Sequence, residues 1–90
     1  MSIGFDCPTT VVLKRMTREG RWAKVEFAVA ESGLVVRDRL DGGFAAISKV
    51  ENEEEGLVEF PSGTFMITKL PNHFRVTWSS GTWVEDTGQK

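Results

Sequence analysis

The chain has 90 residues, 40% of them hydrophobic and 27% charged, and a net charge of −2 at neutral pH. That length suits one domain, 1–90, with a thin core, and the composition is that of a globular chain rather than a disordered one. No apolar run approaches the ~18 residues of a membrane helix, the single cysteine (Cys7) excludes an internal disulfide, and Cys7 with the lone histidine (His73) falls short of the usual ligand set of a structural zinc.

The first residues, 1–6, lack a basic start followed by an apolar stretch, so no secretory leader is read there. Together with the unpaired cysteine this predicts a reducing, cytoplasmic location. Charge is uneven along the chain. Residues 1–30 carry five basic and three acidic side chains, 31–60 three and eight, and 61–90 three and two. The acidic balance disfavours nonspecific nucleic-acid binding, which depends on neutralising phosphates.

Turn signals punctuate the chain at Glu19-Gly20, Ser32-Gly33, Asp41-Gly42-Gly43, Glu55-Gly56, Pro61-Ser62-Gly63, Pro71-Asn72 and Ser80-Gly81. This is the rhythm of a meander of short strands. Strand-like runs lie between them at 10–17, 21–30, 34–40, 44–50, 57–60, 64–70, 73–79 and 82–86. Val25, Phe27 and Val29 alternate with Lys24, Glu26 and Ala28, and Phe74, Val76 and Trp78 alternate with Arg75, Thr77 and Ser79. A period of two marks a half-buried strand.

Three hairpin registers follow. A three-residue loop at Arg18-Glu19-Gly20, with Gly20 left-handed, pairs Leu13 with Val25 and Val11 with Phe27 on the inner face. It also sets Met16 opposite Trp22 and Lys14 opposite Lys24 on the outer face. A turn at Asp41-Gly42 pairs Val36 with Ile47 and Arg37 with Ala46, and puts Leu34, Val36, Ala45 and Ile47 on one face. A two-residue loop at Ser80-Gly81 pairs Trp78 with Trp83 and Arg75 with Asp86, both favourable cross-strand matches. In 44–55 a short helix competes with a strand, because Phe44, Ile47 and Val50 recur at intervals of three. Glu53, Glu54 and Glu55 at its negative end favour the strand. The expected fold is all-β: an antiparallel meander of about seven or eight strands, forming a small barrel or compact sandwich.

The candidate functional surface is the basic, aromatic face of the first hairpin. It comprises Trp22, Met16, Lys14 and Lys24, with Arg15, Arg18 and Arg21 nearby. A tryptophan among cations can anchor a protein partner or stack on a base; its plainer role is to cover an open end of the fold under lysine stems. The acidic run Glu51, Glu53, Glu54 and Glu55 could dock a basic partner, but such runs are mostly solvated loops that aid solubility. It lacks the alternating ligands and glycine of a calcium loop. Cys7 reads as a small packed residue and His73 as a turn residue. Asp38 and Asp41 read as turn formers.

No catalytic constellation, metal site or cofactor motif stands out, so the chain is expected not to be an enzyme. The leading expectation is a small noncatalytic protein-binding module, an inhibitor or accessory factor of the kind phages and mobile elements carry. The alternatives are a single-stranded nucleic-acid binder using the first hairpin and a structural subunit that assembles through strand edges.

Overall fold

The structure is a computed structural model that describes residues 3–7, 9–49, 54–79 and 81–86. These residues form nine strands: β1 (Ile3–Cys7), β2 (Val11–Met16), β3 (Trp22–Ala30), β4 (Gly33–Asp38), β5 (Phe44–Ser48), β6 (Glu55–Phe60), β7 (Gly63–Lys69), β8 (Phe74–Trp78) and β9 (Val84–Glu85). One sheet has the order β1-β8-β7-β6 and the other β5-β4-β3-β2-β9. Every pairing is antiparallel. The two sheets stack as a sandwich, so the all-β expectation holds. There is no helix among the described residues, and therefore none long and apolar enough to cross a membrane.

The chain runs in two meanders, β2 to β5 in one sheet and β6 to β8 in the other. Three crossings between the sheets join them to each other, to β1 and to β9. The inward residues follow the period of two. Leu13, Val25, Phe27, Leu34 and Val36 face Val58, Phe65, Ile67, Phe74 and Val76. Phe65 is the centre of this core. Its ring meets Phe27 edge-on at 5.2 Å, Trp83 at 5.1 Å and Trp78 at 6.3 Å. Edge-to-face contacts of this kind add to the gain from burial alone.

The first hairpin has the register read from the sequence. Leu13 pairs with Val25, Val11 with Phe27, Lys14 with Lys24 and Met16 with Trp22. The Thr17 N–H donates to the Arg21 carbonyl at 2.8 Å and closes a loop of Arg18, Glu19 and Gly20. Gly20 takes φ +81°, the left-handed region that this loop requires and that glycine enters without a Cβ penalty.

The second hairpin departs from the expected register by two residues. Val36 pairs with Ala45 and Arg37 with Phe44, and Ile47 stands opposite Leu34. The cause is Asp38. Its backbone pairs with Gly43, and its fully buried carboxylate accepts the N–H groups of Leu40 at 3.1 Å and Asp41 at 3.3 Å. An aspartate that satisfies loop donors favours a four-residue loop over the tighter Asp-Gly turn. A shift of two preserves the faces, so Leu34, Val36, Ala45 and Ile47 still share the inner side. Residues 44–48 are strand, not helix. Residues 50–53 of the helical alternative lie outside the described residues.

The third expected hairpin does not form. β8 bonds to β1 and β7, whereas β9 bonds to β2 in the other sheet. Trp78 and Trp83 are therefore not cross-strand partners; each approaches Phe65. Arg75 pairs with Asp6 at 2.9 Å and Asp86 with Lys24 at 3.0 Å, rather than with each other. The strand edge that β9 was expected to fill is filled by β1. Gly4 and the Cys7-Pro8 step blur the alternation of this segment, so its sequence pattern does not mark a strand.

The sheets stay open, and two of the four edge strands, β9 and β6, are short or charged. β9 has two residues, and β6 presents Glu55 and Glu59 on either side of Leu57. Both devices discourage pairing with another chain.

Candidate functional site

The outer face of the first hairpin follows from the alternation of β2 and β3. Ala23, Val25 and Phe27 turn inward and are fully buried, so Trp22 and Lys24 turn outward. Trp22 is 45% exposed and Met16, its partner across the ladder, 48%. The Lys14 ammonium sits 4.5 Å from the centre of the Trp22 ring, a cation–π contact. Lys24 is held by Asp86. Arg18 and Arg21 are exposed in and beside the loop.

Arg15 does not point out from this face, although its side chain lines the edge of an adjoining groove. It shares the inward parity of Leu13, and its guanidinium lies over the Trp83 ring at 5.2 Å. It also donates a hydrogen bond of 2.7 Å to the Ser62 carbonyl in the β6–β7 turn of the opposite sheet. Arg15 is thus a clamp between the sheets. The expectation grouped it with Arg18 and Arg21 because adjacency in sequence hides the change of face.

A feature absent from the sequence reading joins this surface. After β8 the chain crosses to the other sheet through Gly81, whose φ of +90° bends it. Trp83 then enters the core, only 6% exposed, and Val84 emerges beside Lys14 at 48% exposure. Between this crossing and the end of β2 lies an open groove of about 530 Å³, lined by Arg15, Met16, Trp22, Gly81, Thr82 and Val84. Among the described residues five large apolar side chains are exposed. Three of them, Met16, Trp22 and Val84, line this one groove. The other two, Phe44 and Leu57, lie on β5 and β6. Alternation within 82–86 is a signal that puts Val84 outside, but the strand it lies against comes from the non-local β2–β9 pairing, which no local pattern encodes.

The remaining candidates separate from this surface. Of the acidic run, Glu51 and Glu53 lie outside the described residues. Glu54 is exposed, and Glu55 is not in a loop but opens β6, opposite Thr68. Cys7 is fully buried, with its thiol donating to the Thr9 carbonyl at 2.8 Å. Burial pushes the thiol's pKa up to about 11, so it is protonated and a poor nucleophile at neutral pH. The imidazole Nε2 of His73 lies 3.5 Å from the Asp6 carboxylate, which Arg75 also engages. This cluster ties β1 to β8. Among the described residues no three His, Cys, Asp or Glu side chains gather as metal ligands do. No family model, curated protein or solved structure matches the chain.

Proposed function

We propose that the protein is a noncatalytic binding module that occupies a surface of another protein through the first hairpin and the adjoining groove, as a small inhibitor or accessory factor does. The observation that supports this reading is the convergence of exposed Met16, Trp22 and Val84 on one groove. A thin core gives up apolar side chains at a cost, and apolar groups collected at one place on a surface mark interaction sites more often than scattered ones do. Tryptophan and methionine are also the residue types enriched at the centres of protein interfaces.

The test is capture of partners from the native host, with and without nuclease, comparing the parent protein with Trp22→Ala. The expected result is a protein partner that survives nuclease and is lost in the variant. The same indole among cations is what a single-strand nucleic-acid binder would present. Binding that is nuclease-sensitive and falls steeply with salt would replace the first reading with that one.

A further inference from the structure

The proposed binding surface has a chemistry that narrows its partner. Resting on that reading, we infer that the groove takes an acidic stretch of extended polypeptide that inserts one apolar side chain between Met16, Trp22 and Val84. Three observations carry this.

The first is the unfinished ladder. The β2–β9 pairing ends at Lys14 and Val84, because Trp83 turns into the core. In β2, the groups of Val12 point toward β9, where the Asp86 N–H donates to the Val12 carbonyl. Met16 has the same parity. Its backbone N–H and C=O therefore face the groove, with no strand partner among the described residues. An extended chain laid along the groove can pair with them, as in strand addition at a sheet edge.

The second is the charge of the rim. Lys24 is engaged by Asp86 and Arg15 by the Ser62 carbonyl. Lys14, Arg18 and Arg21 form no ion pair among the described residues. Lys14 lies over Trp22 at the groove, Arg21 precedes Trp22 and Arg18 is exposed in the adjoining loop, so on a chain of net charge −2 this hairpin is a local reversal of sign. The carboxylates of this region are Glu19, Glu26, Glu85 and Asp86, four against the five cations Lys14, Arg15, Arg18, Arg21 and Lys24. Carboxylates flanking an inserted apolar residue would complement this rim and steer the approach.

The third observation favours polypeptide over nucleic acid. The Lys14 ammonium already lies over the Trp22 ring, so a base stacking there must displace it. Met16 and Val84 add saturated surface beside the ring that offers no π-face. Such walls suit an aliphatic or aromatic side chain.

The experiment selects short random peptides displayed on phage against the full protein, then measures synthetic winners by calorimetry. The expected winners carry Asp or Glu on both sides of a single Leu, Ile, Met or Phe. Their binding weakens about tenfold or more in Trp22→Ala and in Met16→Asp, the loss typical of an interface anchor. It also weakens in Arg18→Glu and Arg21→Glu, with unchanged thermal melts confirming that the variants fold. Winners that are neutral or basic, no enrichment at all, or acidic winners that bind Met16→Asp as well as the parent, each overturn the inference. The broader reading fails separately. A native partner that depends on Trp22 but binds through a non-acidic segment removes this inference and leaves the module a protein binder. Absence of any Trp22-dependent partner removes both.

Discussion

Replacing Arg15 with alanine should destabilise the fold, whereas Arg18→Ala and Arg21→Ala, a few residues away, should not. Arg15 crosses from β2 to the opposite sheet, where its guanidinium donates to the nearly buried Ser62 at 2.7 Å. Hydrogen bonds to a charged group contribute about 1.5–3 kcal/mol. The guanidinium also lies over Trp83 at 5.2 Å, a contact that adds about 0.5–1 kcal/mol where water reaches it. One side chain makes both contacts in one geometry, and it is only half-buried, so the two contributions overlap rather than sum. The expected loss is about 2 kcal/mol, which for a domain of this size lowers Tm by roughly 8–16 °C.

The assay is thermal unfolding followed by far-UV circular dichroism, with urea unfolding to check that the m-value is unchanged. Arg18→Ala and Arg21→Ala should stay within about 0.5 kcal/mol of the parent, as exposed positions do. Arg15→Lys should fall in between, because an ammonium keeps the charge but loses the planar fork and the stacking. Should Arg15→Ala melt within about 2 °C of the parent, the clamp contributes nothing. Arg15 would then return to the group of solvent-facing cations.

Phe65→Ala removes the ring on which Phe27, Trp78 and Trp83 converge, at an expected cost of about 3–5 kcal/mol. A urea midpoint equal to the parent's would contradict its central place in the core. Cys7, buried and with its pKa raised to about 11, should resist a thiol reagent at pH 8 in the native protein and react fully in denaturant; prompt native-state labelling would refute its packing. The Arg75 hydrogen bond, foremost, holds the Asp6 carboxyl below its ordinary range. A depressed folded-state pKa means that the pair stabilises the fold above the ordinary carboxylate range and loses that effect as pH falls through the depressed value. The stability gap between the parent and Asp6→Asn should therefore close in acid, and a gap that is constant with pH would contradict the pairing.

Local periodicity carried most of the fold. The alternation of Val25, Phe27 and Val29, with Gly20 at a left-handed turn position, was enough to fix the first hairpin residue by residue. The second hairpin was legible in its faces but not in its register. The buried Asp38 carboxylate sets the loop length, and burial of an aspartate is not visible in sequence. The last hairpin misled because its cross-strand matches were chemically good. Trp78 beside Trp83 and Arg75 opposite Asp86 satisfy every local criterion, yet each finds a better partner across the molecule. Local favourability cannot exclude a crossing between sheets, and β1, the strand that displaces β9 from β8, is more than sixty residues away in sequence. Within the candidate site the same limit applies. Trp22, Met16 and Lys14 were legible because they belong to one hairpin. Val84 was not, because a non-local pairing brings it there.

The groove itself follows from alternation combined with three anchored residues. Met16 follows Arg15, Trp22 precedes Ala23, and Val84 follows Trp83. In each pair the second-named residue is held on the inner side: Arg15 by Ser62 and Trp83, Ala23 by full burial, and Trp83 by the Phe65 ring. Each anchor forces its neighbour outward, so the backbone fixes where Met16, Trp22 and Val84 point but not what they are. Polar residues at these three positions would satisfy the same strands and would improve solubility. Trp22 nevertheless leaves 45% of its surface in water. Fold stability thus accounts for the groove's geometry and leaves its apolar character unexplained. An occupant that covers this surface supplies the missing reason, and the Trp22→Ala comparison asks for it directly: capture should be lost while the variant still folds and unfolds cooperatively.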